Sequence, residues 1–327
     1  MLYDKPFKTL DEQIALLRSR GLVIDNEDHA KHLLLTSSYY DLTNGYKNVF
    51  MPNDTFIKGT FIEDLFLFSY IDKNIQSLMM KYGLMVEVKF KTNLAYILAQ
   101  NIGVHQDEYL NPKYYKQKAN KGLPFSAVRK EISKQLNADK AHQPTKHYLE
   151  NHNHVPPWIL LKNVSLGTSI NLFNCLSSKN KVCVANLLIP SQVISMKDKI
   201  TLIITAMEGI RTFRNCAAHN LNFVKQRTTY NIPGKTLYAL IPKGVIRQYR
   251  NELCLTDRKI LKGLFGIIVS ACVILNDKFI CTCMLDEFSM YLTSPDKTLD
   301  TLFLNYRKVS DIPEDIVKRF SKLKNYL

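Results

Sequence analysis

Three features of this 327-residue chain predict a mainly α-helical bundle. Apolar residues recur at helical spacing over most of its length, start and stop residues bracket those stretches, and only one short stretch is strand-like. Residues 9–20 open on Thr9 with Glu12 three places later, a capping-box pattern, carry Ile14 and Leu17 on one side and stop at Gly21. Asp25 to Leu35 repeats the form with Ala30, Leu33 and Leu34 on one face, and a loop bearing Asn, Pro and Gly covers 44–59. From Phe61 the positions Ile62, Leu65, Phe68, Ile71, Ile75, Leu78 and Met79 run to Tyr82, and beyond Gly83 a second run extends from Leu84 to Gln100, predicting two core helices. Pro156-Pro157-Trp158 starts a further helix, since Pro suits a first helical turn. Another element ends at Pro190, and Met196 to about Phe223 reads as a long helix. Thr236 to Pro242 is strand-like and predicts at most a small β-hairpin near 228–242, before helical patterns at 256–275 and 281–291. The chain divides into an N-terminal helical segment (1–60), a helical core (61–227) with a basic insertion at about 111–150, and a mostly helical C-terminal extension (228–327).

Composition narrows the function classes. With 46% hydrophobic residues, 12 Gly and seven Cys, the chain is no disordered tail, collagen or small disulfide scaffold. Lys and Arg outnumber Asp and Glu by 44 to 29, a formal charge of +15 that favours phosphate-rich partners, nucleic acid before anionic membrane. The odd number of cysteines, several in apolar runs, reads as reduced buried thiols, and Cys281-Thr282-Cys283 lacks the spacing of a zinc site. The N-terminus is polar and unlike a secretion signal, and the longest apolar run, Leu264 to Leu275, is too short to span a bilayer. The expectation is a soluble cytoplasmic protein without cofactor, metal or membrane partner.

Residues 111–147 carry nine Lys or Arg against two acids. The run is either a solvated face or a phosphate-tracking surface whose rings, Tyr114, Tyr115 and Phe125, stack on bases. Under the second reading the RNA-binding residues are Lys113, Tyr114, Tyr115, Lys116, Lys118, Lys121, Arg129, Lys130 and Lys134.

The stretch able to carry chemistry is Glu208 to Asn220. On a helix Arg211, Asn215 and His219 fall at successive i, i+4 positions and form one polar stripe, with Arg214 beside it and Glu208 one turn before Arg211. RNA cleavage needs a group that moves a proton near neutral pH and a fixed cation for the charge that develops on the phosphate. His219 suits the first role, Arg214 the second through its planar donor fork, and Asn215 can orient either partner. An Arg followed five places later by His arises by chance roughly 0.3 times in such a chain, and about 0.02 times with Asn directly after the Arg. The alternative is a polar helix face whose His caps a carbonyl and whose arginines pair with Glu208.

Arg214-Asn215-Cys216-Ala217-Ala218-His219 resembles the R-x4-6-H motif of the HEPN ribonuclease superfamily. The wider chain is similar to the Abi-like family of AbiD/AbiF-type phage abortive-infection proteins. The likeness rests on Lys5-Pro6-Phe7, Glu12-Gln13, Arg20-Gly21-Leu22, Tyr39-Tyr40 through Gly45-Tyr46, Phe56, Lys58-Gly59-Thr60-Phe61, Glu87-Val88-Lys89, Pro156-Pro157-Trp158 and Ser165-Leu166-Gly167-Thr168, in that order over about residues 5–225. The sequence departs from the family pattern at Leu166 and at Asp72-Lys73-Asn74-Ile75. The resemblance implies a HEPN-type helical bundle and a metal-independent endoribonuclease toxin acting on single-stranded RNA in phage defence. It implies catalytic Arg214 and His219 with Asn215 accessory, and a link to RNA-guided RNA-cleaving CRISPR effectors with paired HEPN units. A single copy of the motif implies a homodimer that completes the site, and the family implies a bound non-coding RNA. A non-catalytic RNA-binding protein that holds a structured small RNA is the other reading. A DNA-binding regulator is disfavoured because the chain has no clear recognition-helix motif.

Overall fold

The computed structural model describes residues 5–117, 122–220, 222–250 and 252–326. The chain starts with α1 (Leu10–Ser19), whose capping box is complete: Thr9 accepts from the Glu12 backbone N–H while the Glu12 carboxylate accepts from the Thr9 N–H at 2.7 Å. Then come α2 (Glu27–Ser37), a π-helical turn (Tyr40–Asn44) and the short α3 (Lys47–Phe50).

The axis of the molecule is α4 (Ile62–Asn101), 40 residues and therefore about 60 Å long. It corrects the expectation of two helices divided at Gly83. No stop signal other than the glycine interrupts the pattern, and the buried positions Phe68, Ile71, Ile75, Met79, Tyr82, Val86, Phe90 and Leu94 keep one helical register through it. Tertiary burial outweighs the roughly 1 kcal/mol that a mid-helix glycine costs.

After α4 follow α5 (Gln106–Tyr109), α6 (Phe125–Ser133), α7 (Thr145–Asn151), α8 (Pro157–Asn163), α9 (Leu166–Cys175) and α10 (Ser178–Leu188), of which α8, α9 and α10 pack on α4 while α6 rests on α9 and α7 on α8. Helix α11 (Met196–Ala218) packs against α4, α9 and α10 and runs opposite to α4: Lys73 meets Asn220, and Glu87 meets Arg214. The predicted start at Pro157 is present, with Pro at the first helical position.

The hairpin expected near 228–242 is not there; that stretch forms α12 (Gly234–Leu240), seated so tightly that a Cβ on Gly234 would stand 2.4 Å from Leu253 Cδ1. The two-stranded ribbon comes later, β1 (Gln248–Tyr249) paired antiparallel with β2 (Glu252–Leu253). The predicted helix over 256–275 is two, α13 (Leu255–Ile260) and α14 (Leu264–Leu275), followed by α15 (Lys278–Leu292), α16 (Asp300–Val309) and α17 (Ile316–Tyr326).

The C-terminal third is part of the same core. Helices α14, α15 and α16 pack on α4, α14 also packs on α11, and one apolar cluster runs from Ile14 to Leu323. One polar contact ties it to α4 and another braces it from within. The Lys89 ammonium on α4 donates to the Leu275 carbonyl at the end of α14, and burial pulls that lysine below its ordinary value. Arg319 on α17, 2% exposed, donates to Asp257 at 2.8 Å and to the Val245 carbonyl at 2.9 Å. Among the described residues no helix is long and apolar enough to cross a membrane.

Candidate functional site

Helix α11 buries Ile203, Ala206, Met207, Ile210 and Phe213 and turns Arg211, Arg214 and Asn215 toward partly exposed ground. His219 is the C-cap with non-helical dihedrals, its N–H still donating to the Asn215 carbonyl at 3.1 Å. Asn220 follows at φ +53°, in the left-handed region that Asn tolerates better than most residues, and turns the chain away. His219 thus stands at the end of the helix below Asn215, and the chain leaves the helix just after it. His219 stands exposed, and among the described residues its imidazole and the Asn215 side chain make no hydrogen bond to protein.

The two arginines take different carboxylates. Arg211 Nε donates to Glu208 Oε2 at 2.7 Å, with its stem over Gly167 at the start of α9. Burial opposes the charge of Arg211, yet the Glu208 carboxylate and the Tyr230 hydroxyl hold its guanidinium above the ordinary value. Arg214 reaches across to α4, where its guanidinium is paired with Glu87 and its stem packs on Gly83. The other Glu87 oxygen takes the Lys91 ammonium at 2.6 Å, and Lys91 also donates to the Val164 carbonyl. Of the alternative polar-face reading, the structure keeps the Arg211–Glu208 pair but gives Arg214 a different partner and no capping bond to His219. The region thus gathers Arg211, Arg214 and Lys91 around two carboxylates, with an imidazole beyond the helix end.

Sequence reasoning missed Lys91 as a site residue, missed Glu87 as the partner of Arg214, and missed the buried Asp72. The i, i+4 spacing of Glu87 and Lys91 was the available signal. Asp72, 0% exposed, accepts from Tyr306 Oη at 2.9 Å, Tyr46 Oη at 3.2 Å, Gln76 Nε2 at 3.2 Å and the Phe223 N–H at 3.3 Å. It fixes the turn that follows His219, and Lys73 binds the Asn220 side chain beside it. Burial raises the Asp72 carboxyl above the usual range, and burial, with Asp72 adding, pushes the neighbouring Cys216 thiol up to about 11.

The basic insertion is a partly exposed face with some of its rings turned inward. Lys113, Lys116, Arg129, Lys130 and Lys134 are exposed, Lys113 lying over the Tyr114 ring at 4.8 Å and Lys134 paired with Glu131 at 2.7 Å. Tyr115 and Phe125 are corrected as base-stacking candidates. Both are buried, stacked on one another at 3.9 Å, and the Tyr115 hydroxyl donates to the Tyr109 carbonyl. Lys118 and Lys121 lie outside the described residues.

A cavity of about 330 Å³ opens beside the Glu87 ion pair, lined by Leu84, Val88, Lys91, Trp158 and Lys162 among others. Leu84, Met85, Val88 and Trp158 are exposed around it, an apolar strip next to a charged cluster.

The bundle and this cluster define a mainly helical protein with cations and an imidazole gathered at the end of a core helix. A family model described as Abi-like protein matches residues 32–224, more than half of the chain, and the chain belongs to that family. The match runs from α2 through α11 to just beyond His219, and membership points to phage abortive infection. Comparison with curated proteins finds no match, and comparison with solved structures finds none.

Proposed function

We propose that this Abi-like protein is a HEPN-superfamily endoribonuclease of the AbiD/AbiF type that halts phage-infected cells by metal-independent cleavage of single-stranded RNA. The observation that carries the reading is the placement of Arg214, Asn215 and His219 at the end of α11, with the imidazole exposed and the guanidinium at the surface of the core. His219 takes the proton from a ribose 2′-hydroxyl. The 2′-oxygen bonds to phosphorus, the bond to the 5′-oxygen breaks, and that oxygen receives a proton. The products carry a 2′,3′-cyclic phosphate, which opens to a 3′-phosphate, and a 5′-hydroxyl. Arg214 meets the charge on the non-bridging oxygens, and Asn215 orients one of the two partners.

Within one chain Arg214 is turned onto Glu87 while His219 stands beyond the helix end, which favours two copies sharing one site. The exposed strip of Leu84, Met85, Val88 and Trp158 beside Glu87 is suited to such a seam. The test is cleavage of single-stranded RNA in EDTA. His219→Ala is expected to lose about 10²–10⁴-fold in rate with an unchanged circular-dichroism spectrum; an active His219→Ala chain, or cleavage abolished by EDTA, refutes the reading.

A second reading, a non-catalytic protein holding a structured small RNA, is favoured by the exposed cations Lys113, Lys116, Arg129 and Lys130 and by the engagement of Arg214 with Glu87. It predicts co-purifying RNA without cleavage.

A further inference from the structure

Away from the arginines of α11, a cavity of about 600 Å³ lies between the N-terminal segment, α1 and the π-helical turn, where Lys5, Lys8, Arg20, Tyr39, Tyr40 and Asn44 face one space. Its cations differ from their neighbours. Arg18, Lys31 and Lys47 are paired with Glu27, Asp11 and Asp54, whereas among the described residues Lys5, Lys8 and Arg20 have no carboxylate at ion-pair distance. Among the described residues the Arg20 side chain donates only to the Tyr39 hydroxyl, at 3.3 Å. Three cations that face one cavity with no direct carboxylate partner among the described residues suit an anion there, Glu12 and Asp54 acting on Lys8 and Arg20 only through space.

The rest of the lining selects among anions. Tyr40, 68% exposed, lines the cavity, and Asn44 beside it offers an exposed amide with donor and acceptor. A flat ring, an amide and a cation cluster suit a base, its polar edge and a phosphate. The cavity is also joined to the candidate site: the carbonyl of Gly45, next to Asn44, accepts from the side chain of Asn222, three residues past His219.

We propose that this cleft holds one nucleotide of a single-stranded RNA, with its phosphate on Lys5, Lys8 and Arg20, its base against Tyr40 and the base edge at Asn44. The proposal rests on the RNA reading above and adds a second grip on the strand beside the His219 turn. The test uses the full chain carrying His219→Ala and a fluorescent twelve-nucleotide single-stranded RNA, with affinity followed by anisotropy over a salt series. Tyr40→Ala is expected to weaken binding about five- to hundred-fold and Tyr40→Phe to stay within about twofold. The pair Lys5→Ala with Lys8→Ala is expected to flatten the log–log salt dependence by about 0.7 for each phosphate that the chain no longer neutralises. These side chains are exposed or line open space, so the fold is expected to tolerate their removal. Affinity and slope unchanged in both variants overturn the proposal. Full displacement of the RNA by millimolar AMP also overturns it, by assigning the cleft to a free nucleotide. A chain with native His219 that shows the Tyr40 effect but cuts no RNA leaves the cleft standing and removes only the nuclease.

Discussion

The guanidinium of Arg214 carries an internal contest. Glu87 holds one of its nitrogens, Lys91 draws on the same carboxylate, and the Arg214 Nε–H is buried without an acceptor among the described residues. A phosphate that displaced Glu87 would meet a cation already oriented. Glu87→Gln is therefore expected to raise RNA affinity several-fold, by removing the competing anion, and to lower stability by about 1–3 kcal/mol, because Arg214 and Lys91 lose a buried partner. Anisotropy and thermal melting measure the two, and weaker RNA binding by the Gln variant would reverse the role assigned to Glu87. At this scale the sequence discloses local relations well. The Thr9/Glu12 box and the Arg214-Asn215 to His219 spacing are all within a few residues. The choice of Glu87 as partner, 127 residues upstream of Arg214, is made by the packing of α4 on α11 and leaves no local trace. The burial of Tyr115 against Phe125 is equally invisible, because a basic run looks the same whether its rings face water or core.

Glycines show how helices differ in what they tolerate. In the middle of α4, a Cβ on Gly83 would sit 3.2 Å from the mobile end of Met79 and 3.6 Å from Arg214 Cγ, contacts that a small movement of Met79 relieves. Gly83→Ala is expected to stabilise the protein by up to about 1 kcal/mol from helix propensity, read as a rise in melting temperature; a fall would mean that the close approach of α11 needs the glycine. In α14 the same change meets backbone. A Cβ on Gly266 would be 2.1 Å from the Leu261 carbonyl oxygen, so Gly266→Ala is expected to cost about 3 kcal/mol or more, or to prevent folding. The stretch read as one helix over 256–275 divides at Gly263, the extended residue that precedes α14 and folds Leu261 back against Gly266. The strand-like reading of 236–242 failed for a related reason. Thr236, Leu237 and Tyr238 have strand-favouring or neutral side chains, but burial of Thr236 and Leu237 at the seat of α12 decides the conformation.

Across the whole molecule, Asp72 gathers the chain. Its carboxylate is touched by Tyr46 from the N-terminal third, Gln76 from α4, Phe223 after α11 and Tyr306 from α16, with Cys216 and Lys73 nearby. An aspartate in the unfolded chain titrates at about 3.9. Burial raises the folded value, so the folded chain holds the proton more tightly and loses stability as pH climbs from about 4 through that raised value. Asp72→Asn keeps an oxygen for the donors and removes the titration. Its melting temperature relative to the parent is expected to improve between pH 4 and pH 7, and a difference that does not vary with pH would assign the titration elsewhere. The field of the +15 chain was legible from composition, but this junction was not, since its members come from four distant segments.

Because Tyr306 lies 234 residues beyond Asp72, a ribosome must translate through α16 before the turn bearing His219 is fully braced. If the chain acts as the proposed toxin, a stop codon just upstream of the Tyr306 codon is expected to abolish growth arrest as fully as one near the start, and equal colony counts from the two on a plate check this.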